Sequence, residues 1–512
     1  MNSPIKHVFV LMLENRSFDH IFGFSGLPGI NGLTGTESNV YDGVTYTVQQ
    51  GAEDPMSTDS NHEFLDTMEQ LCGTKYSPKN HNNPFPKGPY PAIDNSGFVA
   101  NYVTIADEDT GLPGVMHYGD TMKCATTDQI PVILQLAQEF AVCDQWYASI
   151  PGPTWPNRLF AMGATSSGLD DTPTKDHILE WEIFDGLKMV KGNFFHHLHA
   201  NKLRYRLYHD SANQFAHPPK APFYEGGGFS MVSALEGIFL WDVRSFQHFE
   251  RDLHRDYPYQ YTFIEPNYGN SVDDTYTGGS SQHPEDYLVG GEAMLAATYN
   301  AIRNSPLWDS SLLFVTYDEH GGFYDHVKPP AAPPPGDNPD FGYSINHFDF
   351  SNYGLRVPAV VISPWIKKGT VDKNLYDHTS MLKTVEDIWG LPNLTDRDLN
   401  AVGLSSLLTE AAPRIDCPTH LQANAPSPVE EAAPVSAGAD FTDPELLVEK
   451  GNVIGHIHVA MKADYEMSDR SEASKAAIRA KVAAIKTKGQ ARAYFREVWI
   501  KVQAKKDAMG TG

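Results

Sequence analysis

Positive charge, paired cysteines and long apolar runs are all scarce in this chain. Lys and Arg number 39 against 64 Asp and Glu in 512 residues, a formal charge of -25. That balance excludes a nucleic-acid partner, since phosphate backbones are held by Lys and Arg that displace counterions. The four cysteines, Cys72, Cys124, Cys143 and Cys417, show neither C-x-x-C nor zinc-finger spacing. A disulfide scaffold and a cysteine-zinc site are therefore excluded, and a reducing compartment is preferred. No apolar run approaches the roughly eighteen residues of a membrane span. Met1 leads straight into a strand pattern, without the basic, apolar and cleavage segments of a secretory signal. The expected location is cytoplasmic, with export by a route outside the sequence as the exception.

What is present is a large potential core, 41% hydrophobic and 11% aromatic, enough for one catalytic-size domain and a smaller appendage. Several short apolar runs end in polarity. "HVFVLML" stops at Glu14, "QYTFI" at Glu265 and "SLLFVTY" at Asp318 and Glu319, while "VPAVVIS" meets Pro364. Between them, "QIPVILQLAQEF" (129–140) and "DHTSMLKTVEDIWG" (377–390) carry helical periodicity. Apolar strands alternating with helices predict an α/β fold with a mostly parallel sheet covered on both faces. Ligands of such sheets bind outside the carboxyl ends of the strands, so Glu14 and Asp318 are expected on one rim.

The densest chemistry lies in "TYDEHGGFYDHV", 316–327. Asp318 and Glu319 follow a buried strand and precede a Gly321-Gly322 turn. Two adjacent buried anions need a compensating cation. With Glu14 and Asn15 from the first strand end they make an oxygen-rich set for Ca²⁺, Mg²⁺ or Mn²⁺. His320 or His326 could add nitrogen and shift the choice towards Zn²⁺ or Fe. Read alone, the run is equally a turn with solvated charges. In "IPGPTWPNRLF" (150–160) the prolines stiffen the approach to and exit from Thr154, whose hydroxyl beside a cation can attack phosphorus. Asn157 and Arg158 can donate to phosphoryl oxygens. The competing reading is a Pro-rich connection with Arg158 in a surface ion pair. Among 21 histidines, His62 and His283 lie in polar loops, where each can steady a phosphoryl group or protonate a leaving oxygen. His117 and the "FFHHLH" run are weaker candidates.

"ENRSFDH", "TWPNR", "DEHGGFYDHV" and "GLRVPAVVISPW" occur in the order and approximate spacing of the phosphoesterase family of bacterial phospholipases C, plant non-specific phospholipases C and related acid phosphatases. The chain resembles that family from about residue 5 to about residue 410. The resemblance implies an alkaline-phosphatase or sulfatase type of α/β sandwich with one divalent metal ion (Ca, Mg, Mn or Zn). It puts Glu14, Asn15, Asp318 and Glu319 at the metal positions and Thr154 at the nucleophile. His62 and His283 line the phosphate pocket, and substrate contacts are expected from Asn157, Arg158 and His320. The implied reaction passes through a phosphothreonine intermediate. Phospholipase C-type cleavage of a phospholipid to diacylglycerol and phosphorylated headgroup is the first reading, an acid phosphatase-type phosphomonoesterase the second. A catalytically silent binding protein on the same fold is the third. The order "HPEDYLVGGE" departs from many relatives at Asp286 and Tyr287.

Residues 1–410 are expected to form the catalytic domain and 411–440, rich in Ala and Pro, a linker or strap. Residues 441–512 are expected as a basic helical C-terminal extension. From 471 to 512 the chain carries ten Lys or Arg against three Asp or Glu. Ile478, Val482, Ile485, Phe495, Val498, Trp499 and Val502 follow helical spacing there. That face could contact an anionic membrane peripherally, but the favoured expectation is that it docks on the acidic body or on a partner subunit in a homo-oligomer.

Overall fold

The computed structural model describes residues 3–74, 92–110, 118–216, 228–272, 276–424, 448 and 451–510. His117, the stretch from 425 to 447 and most of "TDPELLVEKG" lie outside the described residues. The central sheet has eight strands: β1 (His7–Leu13), β2 (Ala141–Cys143), β3 (Tyr205–His209), β4 (Arg244–Ser245), β5 (Tyr261–Glu265), β6 (Ser311–Tyr317), β7 (Ala359–Ile362) and β8 (Thr370–Asp372). Their spatial order is β8-β2-β7-β6-β1-β5-β3-β4. Only β7 runs antiparallel to its neighbours in this sheet. Every residue of β5 and β6, and all of β1 after His7, is buried. Consecutive buried residues mean both faces are covered, which is why these strands read as continuous apolar runs.

The covering helices used below are α1 (Phe18–Phe22), α2 (Pro131–Glu139), α3 (Thr154–Gly163), α4 (Phe194–Ala200), α5 (Leu288–Arg303) and α6 (Thr379–Trp389). The C-terminal set is α7 (Asn452–Met467), α8 (Glu472–Ala483) and α9 (Lys488–Met509). Pro131 opens α2, where its missing N–H costs nothing. The apolar positions expected of the tail face inward: Ile478, Val482, Ile485, Phe495, Val498 and Val502 are buried. Phe495 packs on Phe229 of the body at 5.3 Å between ring centres. The Pro-rich segment 328–342 is tied down by Ala332 N–H donating to Ser351 O (2.8 Å) and by Arg397 Nε donating to Pro333 O.

Register positions the rim. Leu13 pairs with Tyr317 and Leu11 with Ile264, so Glu14, Asp318 and Glu265 leave three adjacent strands at one end. All three are fully buried. No described helix is long and apolar enough to cross a membrane.

Candidate active site

The chain turns sharply after β1. Asn15 has φ 60, a left-handed conformation that Asn tolerates, and Ser17 caps α1 by accepting the His20 N–H at 3.0 Å. The turn brings Asn15 N–H to Asp318 Oδ1 at 3.1 Å. The second loop must lie flat against the first. Gly321 and Gly322 have φ 64 and 71, and a side chain on them would strike the carbonyls of Asn15 and Ser60.

Thr154 is the first residue of α3, preceded by Pro153 as an N-cap with no side-chain hydrogen bond. Its Oγ1 donates to Asn15 Oδ1 at 3.3 Å. Asn157 does not face this space. Its amide donates to Gly152 O (2.9 Å) and Pro153 O (3.1 Å) and accepts the Ile150 N–H (3.0 Å), so it fixes the loop that presents Thr154.

Arg158 is fully buried, not a surface ion-pair partner. Nε donates to Asp318 Oδ2 at 2.8 Å, Nη1 to the Tyr268 hydroxyl at 3.2 Å and Nη2 to Leu13 O at 3.0 Å. Glu14 and Glu265 stand 3.8 and 3.9 Å from its nitrogens. The guanidinium is committed to these internal partners.

Oxygens remain unmatched around it. Both carboxylate oxygens of Glu14 and Oε1 of Glu319 are buried without a hydrogen bond of ordinary geometry. Burial, opposed by Arg158 and reinforced by Asp318, pushes the Glu14 carboxyl well above its ordinary range. Burial also raises Glu319 to about 8 against the pull of His62. With Asn15 Oδ1, Thr154 Oγ1 and Asp318, these orphaned oxygens are the donor type a hard divalent cation takes, but Glu14, Asp318 and Glu319 are not among the groups of described residues whose ligand atoms come within 4.8 Å of one another.

Histidines line the other side. Asn15 Nδ2 meets His62 Nε2 at 3.0 Å, and Glu319 Oε1 is 3.8 Å from that nitrogen. Burial lowers the His62 pKa, but Glu319, Asp59 and Asp318 outweigh it and the net shift is upward. His283 stacks on Tyr276 at 3.5 Å and keeps both ring nitrogens unpaired. Burial, then His62 and Arg16, hold it well below the ordinary range, so it is neutral. Asp59, His62 and His283 can each bring one ligand atom within 4.8 Å of the others. His320 is drawn away, with Nε2 at 2.7 Å from Gln70 Oε1 and Nδ1 at 3.3 Å from Glu319. His326 belongs to a separate network, Asp19–Arg356–Asp325, in which Arg356 lies 3.0 and 2.9 Å from the two carboxylates.

Sequence reasoning left several of these supports unassigned. Glu265 ends an apolar strand as Glu14 does, and that signal was sufficient to find it. Arg16 donates to Gln282 O (2.6 Å) and His283 O (3.0 Å), fixing the His283 loop. Asp286 braces the same loop by accepting N–H groups of Gly278, Gly279 and Tyr287. His378, from the start of α6, lies 2.6 Å from Asp318 O.

The phosphoesterase family profile matches residues 5–392. The chain belongs to the phosphoesterase family. It is 32% identical to non-specific phospholipase C6 of Arabidopsis thaliana across 92% of this chain and 83% of that protein. Phospholipase C B of Mycobacterium tuberculosis is 28% identical over 80% of this chain and 79% of its own length. Non-hemolytic phospholipase C of Pseudomonas aeruginosa is 26% identical, covering 76% of this chain and 55% of its own. Among solved structures, the phosphonate monoester hydrolase of Agrobacterium radiobacter overlaps 57% of this chain and 74% of its own at a TM-score of 0.32 and 13% identity. Nothing about the site follows from a likeness that distant. As a phosphoesterase, this protein is a hydrolase acting on phosphoric esters.

Proposed function

We propose that the protein cleaves phospholipids in the manner of a phospholipase C, with Thr154 as nucleophile, releasing diacylglycerol and a phosphorylated headgroup. The observation that carries this reading is the Thr154 hydroxyl at the start of α3, 3.3 Å from Asn15 Oδ1, on the rim that holds buried carboxylate oxygens of Glu14 and Glu319 without a hydrogen bond of ordinary geometry. Glu14, Asn15, Asp318 and Glu319 would hold one divalent ion there. Bound, that ion would supply positive charge to the threonine alkoxide and to the phosphoryl oxygens. Thr154 Oγ1 attacks phosphorus, the alcohol leaves, and water then cleaves the phosphothreonine. Thr154 sits at the N-terminus of α3, the helix end that favours developing negative charge. Neutral His283 can donate one N–H to a phosphoryl oxygen. His62, whose pKa its carboxylate neighbours raise, can carry a proton to the leaving oxygen near neutral pH. Arg158 keeps Asp318 in position without touching substrate. In this reading residues 1–410 carry the chemistry, and the helices after 441 brace it.

Hydrolysis of p-nitrophenylphosphorylcholine and p-nitrophenyl phosphate, measured side by side from pH 5 to 8, tests the proposal. The diester is expected to be preferred. Thr154→Ala is expected to lower turnover by about a thousandfold or more. Glu14→Ala is expected to remove bound metal as well as activity, read by elemental analysis. A preferred monoester would replace the phospholipase reading with a phosphatase, and full turnover by Thr154→Ala would remove the nucleophile assignment.

A further inference from the structure

A second site lies at the outer edge of the sheet. The catalytic rim is at the carboxyl ends of the strands, whereas Tyr205 begins β3, about 13 Å below His209 at the strand's rise per residue. β4 pairs with Tyr208 and His209 of β3. Ahead of that pairing, the loop from Gly237 to Val243 stands off Tyr205, Arg206 and Leu207 and leaves a cavity of about 230 Å³. That volume is below the usual range for drug-sized ligands and suits a small molecule.

The lining is amphoteric. Phe239 and Trp241 are stacked, with ring centres 4.9 Å apart and planes 14° from parallel, and form an aromatic wall. Arg206 rests over the Tyr259 ring at 5.1 Å. Its Nε is buried without a hydrogen bond, and no carboxylate among the described residues comes within ion-pair distance of its guanidinium. Lys505 of α9 does not line the cavity but stands beside its wall, its ammonium 3.8 Å from the centre of the Trp241 ring and without an ion pair among the described residues. The third cation, Arg244, is already held by Asp252. One exposed carboxylate, Asp242, lines the cavity within electrostatic reach of Arg206 and Lys505 but outside ion-pair contact.

The surroundings reinforce the cations. From 186 to 209 the chain has five Lys or Arg and no Asp or Glu, in a protein of charge -25. His196 of α4 stands at the cavity lip against Gly237, whose φ of 76 leaves no room there for a side chain. A guanidinium and an ammonium without partners match a dianion. The planar guanidinium fork fits phosphate oxygens in pairs, better than a point charge does. Asp242, in the same lining and outside ion-pair contact with either cation, offers a place for a positive group on the same ligand.

We propose that this cavity binds a small zwitterionic phosphomonoester, its phosphate on Arg206 with the Lys505 charge behind the Trp241 wall reinforcing it, and its ammonium on Asp242. Binding here is separate from turnover at Thr154 and needs no particular reading of that chemistry. Titration calorimetry of the full chain carrying Thr154→Ala, with phosphoethanolamine, phosphocholine, inorganic phosphate and choline as probes, tests it. The two phosphomonoesters are expected to bind, and Arg206→Ala in the same background is expected to weaken them at least tenfold. Lys505→Ala, on a different element, is expected to weaken them in the same direction, which separates loss of a contact from local misfolding. Asp242→Asn is expected to weaken the zwitterions but not inorganic phosphate. In the otherwise unaltered chain, Arg206→Ala is expected to leave p-nitrophenyl phosphate turnover within twofold. Titrations unchanged by Arg206→Ala would overturn the proposal and assign any binding to the catalytic rim. Absence of heat with every probe would overturn it as well, leaving Asp242 as the cations' own counter-charge.

Discussion

Arg158 stands among Glu14, Glu265 and Asp318, all three fully buried. Removing the guanidinium would leave those carboxylates buried and facing one another. Arg158→Met is therefore expected to destabilise the fold by about 3–5 kcal/mol, read by chemical denaturation. Arg158→Lys is expected to recover only part of that loss, since one ammonium cannot reach Asp318, Tyr268 and the β1 carbonyls together. A second buried acid gives a pH signature remote from the catalytic rim. Burial, then the neighbouring Asp398, pushes the Glu386 carboxyl in α6 up to about 9. In the unfolded chain it ionises near about 4.3, so between those values the folded state holds a proton that the unfolded state releases. Its contribution to stability is present below the lower value and is lost as pH rises towards 9. Denaturation midpoints are expected to fall from pH 5 to 9, and Glu386→Gln is expected to flatten that decline. At this scale Glu14, Asn15, Thr154, Asp318 and Glu319 were legible because each interrupts an apolar or Pro-stiffened run. Tyr268 and His378 were not, because their importance comes from Arg158 and Asp318, partners 110 and 60 residues away, and nothing in their own flanks marks it.

Helix α7 is the element whose place differs most from the impression its sequence gives. "NVIGHIHVAMKADYEM" contains two histidines and three charged residues, a composition that suggests a solvated helix, yet every residue from Asn452 to Glu466 is buried. Several of its polar groups find partners in the body or along the helix itself. His458 Nε2 lies 2.9 Å from Ile183 O, Lys462 donates to Ile238 O (2.8 Å) and Glu466 (2.8 Å), and His456 Nδ1 lies 3.0 Å from Ser271 Oγ. Such compensation is tertiary and leaves no periodic trace, whereas strands β1, β5, β6 and β7 were readable from continuous apolar runs. Gly455 lies directly against the Trp155 indole, with no space for a Cβ. Trp155 follows Thr154, so the C-terminal helix backs the turn that presents the Thr154 hydroxyl. Gly455→Val is expected to cost about 1–3 kcal/mol by overpacking and to lower kcat more than it raises KM, measured with the p-nitrophenyl diester. An unchanged kcat would separate α7 from the positioning of Thr154.

On the scale of the whole molecule, the basic tail packs on the acidic body. Lys475 and Arg479 pair with Glu182 at 3.0 and 2.9 Å, but these contacts are exposed and contribute little. The apolar face of α9 does more, since Phe495 is fully buried against Phe229. Phe495→Ala is expected to lower stability by about 3–5 kcal/mol. Calorimetry is expected to show one transition for tail and body together, and a separate early melting step would contradict this. The sheet order has a further consequence, in time. β1 lies between β5 and β6, whose residues begin at 261 and 311, so the strand made first is flanked by strands made much later. At roughly 5–20 residues per second, "HVFVLML" waits for roughly 12 to 50 s before the first of its partners is made. This apolar strand is thus held for long without a partner, which makes nascent β1 a natural client for chaperones and a place where synthesis in a foreign host would go wrong early.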